Sequence, residues 1–161
     1  MMPAMNANRQ LPLWLFPVAF LIHVTEEFFG GAGLSLAPHR MRGFNLTPLQ
    51  FIVGNCVVLV LILVGLAFAW RIGFPHLLLL VLGSVFLVNG LLHVLTALRT
   101  SAYTPGLITS PLVFIPLGSY TLYRLWGAMS RARYCTGLAL GGGVHLCVSL
   151  LAHNGRTLFG S

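Results

Sequence analysis

Residues 11–29 read LPLWLFPVAFLIHVTEEFF. From Leu11 to Val24 only Pro12, Pro17 and His23 interrupt an apolar run. That run is close to the length of helix, about 20 residues, that crosses a ~30 Å hydrocarbon core. It ends in Glu26 and Glu27, the only two acidic side chains of the chain. An ionisable group in such a setting costs several kcal/mol unless it is paired, so its presence points to a site. The stretch therefore carries two messages. The chain belongs in a membrane, and its chemistry starts at His23, Glu26 and Glu27.

The rest of the chain agrees with the first message. Of 161 residues, 57% are hydrophobic and 7% charged, against roughly 25% charged in a soluble domain. Mean hydropathy is +0.90. The net charge is +7, and every cation is Arg. These arginines stand at the ends of apolar runs, where loop anchors meet lipid head groups. No basic patch of the kind nucleic acid needs is present, so nucleic-acid binding is excluded. Cys56, Cys135 and Cys147 form no CxxC pair and read as small apolar residues, not as a disulfide framework.

Five apolar runs are predicted to cross the bilayer, at about 11–29, 49–70, 75–98, 107–126 and 134–152. The expectation is a single all-α integral membrane bundle of five transmembrane helices. Pro17 and Pro116 are expected to kink their helices, and Gly141-Gly142-Gly143 to permit close helix approach. The long connection from Gly30 to Pro48 could act as a lid or re-entrant loop. Arg9, Arg71, Arg124, Arg131 and Arg133 fall on the N-terminal side; Arg40, Arg42, Arg99 and Arg156 fall on the other. This balance leans towards a cytoplasmic N-terminus, and a bacterial cytoplasmic membrane is the expected setting.

Depth arithmetic gathers the polar residues. At 1.5 Å per residue, His23 lies about 18 Å and Glu27 about 24 Å from the N-terminal side. On the same scale Asn89 and His93 lie near 20 and 26 Å, and His145 near 16 Å. Asn55 reaches a similar level from the opposite side. A polar site is thus expected in the half of the membrane opposite the N-terminus. Residues three or four apart share a helix face. His23 with Glu26 and Glu27, Asn89 with His93, and His145 with Ser149 and His153 each form one polar stripe.

A carboxylate and an imidazole at i and i+4 can hold one divalent metal, as the two His of HExxH do with Glu as general base. Here His23 and Glu27 have that spacing, which leaves Glu26 for proton transfer. His93 or His145 would complete a His/Glu set of the kind catalytic zinc uses, with one position open. Zinc or iron is the expected ion. A di-iron centre is disfavoured, since such bundles commonly use four carboxylates. Without a metal, a buried Glu can act as general acid on an alkene or epoxide, or shuttle a proton. Bland roles compete: an ion pair of the acids with Arg99 or Arg40, interhelix bonds for Asn55 and Asn89, interfacial placement for His153, and no role for His39 and His76.

His23-x-x-Glu26-Glu27, then Asn89-x-x-x-His93, then Tyr103-x-Pro105-Gly106 together resemble the signature of the small membrane proteins named for their HXXEE motif. The resemblance covers helix one to helix four. It implies a shared site built from His23, Glu26, Glu27, Asn89, His93 and Tyr103, without naming a substrate or a metal. The expected function is an intramembrane enzyme that hydrolyses or hydrates a small lipophilic substrate. His23, Glu27, His93 and His145 are the candidate metal ligands. Glu26, Glu27, His93, Asn89 and Tyr103 are the candidate catalytic residues, and Asn55, Asn89, Tyr103 and Ser149 are the candidate substrate contacts. The alternatives are a metal-free isomerase, cyclase or epoxide-opening enzyme on the same residues, and a proton relay or transporter, for which the chain would have to form a homo-oligomer.

Overall fold

The structure, a computed structural model, describes residues 13–31, 46–73 and 75–154. The expected lid and the residues Arg9, His39, Arg40, Arg42 and Arg156 lie outside them, as does the side chain of His153. The described residues form helices and no strands: α1 (Leu15–Gly30), α2 (Pro48–Ile72), α3 (Pro75–Thr100), α4 (Ile115–Leu125) and α5 (Arg131–His153). Three helical stretches, Pro48–Ile72, His76–Thr100 and Arg131–Ala152, are long and apolar enough to cross a membrane. Helix α1 has 16 residues, or about 24 Å of rise.

Local chemistry sets the helix ends. Thr47 and Gln50 form a reciprocal capping box at the start of α2, with Pro48 as its first helical residue. Gly73, at φ 80°, closes α2 in the left-handed region. Ser130 caps α5 by accepting from the Arg133 N–H at 3.4 Å. Pro17 is the third residue of α1, in the first turn, where a missing N–H costs nothing. It starts the helix and does not kink it as the sequence suggested. Pro116 does perturb its helix. The segment Ser110–Phe114 opens into a π-turn, with the Ile115 N–H bonding back to the Ser110 carbonyl. The wider turn accommodates the proline ring that follows.

Helix α3 is the hub, packed against α4 and α5 along much of its length. Small residues allow this. A Cβ on Gly118 would fall 2.7 Å from the Gly83 carbonyl oxygen, and one on Gly141 would fall 2.5 Å from Ser84 Cβ. Of the predicted glycine triplet only Gly141 makes a contact; Gly142 and Gly143 face open space. Helices α1 and α3 run in the same direction. Phe16 meets Phe86 edge to face at 5.3 Å, and seven residues further along each helix His23 meets His93 at 5.0 Å. Helix α2, which connects them, lies to the outside, and its Val53, Val57, Val60, Leu61, Val64 and Phe68 are exposed. Buried groups include His23, Glu27, Ser110, Thr121 and His145. Polar groups set within an apolar core, with large apolar residues exposed around it, depart from the soluble pattern.

Candidate functional site

Helix α1 divides its motif between two faces. His23 and Glu27, four apart, point to one place; Glu26, about 100° round the helix, points elsewhere. His23 Nε2 lies 3.5 Å from Glu27 Oε1, and His93 Nε2 of α3 lies 3.2 Å from the same oxygen. His23 and Glu27 are buried, and the His93 side chain keeps 15% exposure. Single donor atoms of His23, Glu27 and His93 all lie within 4.8 Å of one another. Zinc bonds of ~2.1 Å in a tetrahedron place neighbouring donors about 3.4 Å apart. The 3.5 and 3.2 Å separations bracket that edge. Among the described residues this is the group of His, Cys and acidic side chains placed to hold an ion.

Stacking fixes the imidazoles. Phe86 stacks on Phe114 at 4.1 Å, and Phe114 stacks on His23 at 4.0 Å. Gly106 covers both rings. Its φ is +89°, and a Cβ there would come within 2.8 Å of His23 Cε1 and 2.8 Å of His93 Cε1. The turn Thr104-Pro105-Gly106-Leu107 closes with the Leu107 N–H donating to the Thr104 carbonyl at 3.0 Å. Pro second and Gly third is the pattern of a type II turn. Gly is thus required twice, for backbone conformation and for room beside the histidines.

Glu26 holds that turn in place. Its Oε1 accepts the Tyr103 phenol at 3.0 Å and the Ile108 N–H at 2.8 Å. Its Oε2 accepts the Thr109 N–H at 2.7 Å and the Thr109 hydroxyl at 2.6 Å. The two backbone donors open the helical run from Ser110, so Glu26 works as a cap supplied from another helix. Burial, and then the bond to Glu26, push the Tyr103 phenol above its ordinary pKa of 10.0. Four donors thus meet the two oxygens of this carboxylate. The sequence expectation reserved Glu26 for proton transfer; the structure gives it a task the sequence did not suggest, holding this turn. Of the two arginines weighed as ion-pair partners for the acids, Arg99 is exposed while Glu26 bonds to this turn, and Arg40 lies outside the described residues.

The remaining sequence candidates divide. Asn89 is one turn below His93, and its Oδ1 is buried without a hydrogen-bond partner. His145 is buried on α5, with Nε2 3.1 Å from the Ser149 hydroxyl; both lie outside the three-donor group. Asn55 donates to the Phe51 carbonyl at 2.9 Å. It lines a separate apolar groove of about 190 Å³ between α1 and α2, with Thr25 and Phe28. Depth arithmetic could not separate these faces, because depth fixes height and not direction. Sequence reading also missed Thr109, whose Oγ1 sits 2.6 Å from His23 Nδ1. Its signal was the polar pair Thr109-Ser110 inside an apolar run, three residues after Gly106.

Residues 14–121 match the family described as "Protein of unknown function with HXXEE motif". The chain belongs to the HXXEE family. The match takes in the motif His23-x-x-Glu26-Glu27, the facing His93 and the whole turn from Tyr103 to Thr109, and it ends before α5. Comparison with curated proteins and with solved structures returned no match. In the HXXEE motif of this chain the first letter and the last face the three-donor group. The first of its two acids, Glu26, secures the turn that roofs it.

Proposed function

We propose that this HXXEE protein is an integral membrane enzyme with five helical spans, in which His23, Glu27 and His93 hold one divalent metal ion, zinc or iron. The ion would serve hydrolysis or hydration of a small lipophilic substrate. The observation that supports this is the convergence of two imidazole nitrogens and one carboxylate oxygen at separations of 3.2 and 3.5 Å, near the edge of a zinc tetrahedron. Two His and one carboxylate are also a donor set used by catalytic zinc with a fourth position left for water or substrate. An ion held there would supply Lewis-acid chemistry for hydrolysis or hydration. The arginine balance favours a cytoplasmic N-terminus.

Each residue then has a task. Glu27 supplies the negative charge that offsets the ion. Burial among Phe16, Phe86 and Phe114 keeps the surroundings dry, which strengthens every charge interaction. Asn89, with a free buried oxygen one turn from His93, can accept a bond from substrate or water. Elemental analysis of the detergent-purified protein tests the proposal, wild type against His93→Ala. One equivalent of metal, lost in the variant, is the expected result. A metal-free protein that turns over an epoxide or alkene would replace it with acid–base chemistry at Glu27, which already sits between two imidazoles.

A further inference from the structure

The hydrogens around Thr109 can be counted. Its side chain has one O–H and lies at 2.6 Å from both Glu26 Oε2 and His23 Nδ1. Glu26 also faces three further donors, the Tyr103 phenol and the N–H groups of Ile108 and Thr109. Four donors on one carboxylate fit its ionised, acceptor-only form. The Thr109 proton then goes to Glu26, and the hydroxyl oxygen has only lone pairs left for His23. A bond at 2.6 Å therefore needs a proton on His23 Nδ1. Nε2 makes no hydrogen bond, so the one ring N–H is the Nδ1–H and Nε2 carries a bare lone pair. That nitrogen is the one facing Glu27, and it is buried without a hydrogen-bond partner.

We infer that Glu26 and Thr109 are a positioning pair that fixes His23 as the Nδ1–H tautomer and so presents Nε2 as a ligand lone pair. Metal-bound histidines generally donate their second N–H to an oxygen acceptor, which sets tautomer and ring orientation, and loss of that acceptor commonly costs 10–100-fold in metal affinity. Here the acceptor is a hydroxyl, itself oriented by a carboxylate. The two acids of the motif thus act on one imidazole from opposite ends. Glu27 meets Nε2 directly, and Glu26 reaches Nδ1 through Thr109. The consequence for affinity rests on the proposed metal reading; the proton count does not.

Two measurements on the full chain in detergent test the inference. The first is the nitrogen-15 imidazole spectrum of metal-free protein, with His23 assigned by comparison with His23→Asn. A protonated Nδ1 and an unprotonated Nε2 are expected. A protonated Nε2 with bare Nδ1, or an imidazolium with both protonated, overturns the inference. The second is Zn²⁺ affinity by chelator competition. Thr109→Val is expected to lose about 10–100-fold while Thr109→Ser stays near wild type. Equal affinity for wild type and a folded Thr109→Val overturns the inference. Wild type that binds no Zn²⁺ but shows the Nδ1–H tautomer removes the metal reading and leaves the positioning pair standing. The spectrum of wild type keeps the test decisive even if Thr109→Val does not fold.

Discussion

Gly106→Ala probes the site without removing a candidate ligand. The new methyl would lie 2.8 Å from the Cε1 atoms of both His23 and His93, about 0.6 Å inside the 3.4 Å at which ordinary contact begins. Either the turn lifts or both rings retreat by a similar distance. Metal–donor distances tolerate about ±0.2 Å, so a shift of 0.6 Å in two of three ligands is disabling. The φ of +89° adds backbone strain of about 1–3 kcal/mol for any residue with a Cβ. The expected outcome is a lower Tm in detergent together with a loss of at least about tenfold in Zn²⁺ affinity, equal to ~1.4 kcal/mol. The control is Gly143→Ala, where nothing lies within 4 Å of the new methyl and neither quantity should fall. A Gly106→Ala protein with wild-type Zn²⁺ affinity would refute the reasoning, because the rings it crowds could not then be the ligands.

Glu27→Gln should abolish stoichiometric metal binding, since it removes the anionic donor and leaves a neutral amide between two imidazoles; elemental analysis reads the loss. His145→Ala should keep one equivalent of metal, because His145 stands outside the three-donor group and is bonded to Ser149. Gly118→Ala should destabilise by about 1–3 kcal/mol through overpacking, since the methyl would meet Gly83 O at 2.7 Å and Leu87 N at 2.8 Å; thermal unfolding measures it. The raised pKa of Tyr103 has a definite sign. The bond to Glu26 contributes stability fully present below pH 10.0 and lost as pH rises through the higher folded value. Tm measured from pH 8 to 11 should therefore fall at the alkaline end, and Tyr103→Phe should flatten that fall.

Much of the fold was legible because long apolar runs report long apolar helices directly. The runs predicted at 49–70, 75–98 and 134–152 correspond to α2, α3 and α5. The run at 107–126 covers a π-turn and a short helix, a break that two prolines signal without specifying. Rise per residue put Glu27 and His93 at similar levels, and the two do meet, at 3.2 Å. Direction was not legible. Asn55 has the right depth and lies in a different groove, because one helix turn carries faces that height cannot distinguish. The split between Glu26 and Glu27 was half readable: i+4 spacing placed Glu27 with His23, but only the folded turn shows that four donors converge on Glu26. Thr109 left a local signal, the polar pair with Ser110, but nothing that named its partner His23, 86 residues away.

That separation bears on how the chain is made. Thr109 meets Glu26 and His23 across 83 and 86 residues. Synthesis at ~5–20 residues per second leaves an interval of about 4–17 s between the two ends of those bonds. During it α1, with both acids of the chain, is already made, while the donors that will satisfy Glu26 are not. A 16-residue segment in that state has little reason to commit to the bilayer core. If α1 spans the bilayer as proposed, it should therefore settle at the membrane surface first and enter last, when the turn at 103–109 arrives with the donors that satisfy Glu26. Birth order and insertion order would then run opposite ways for α1.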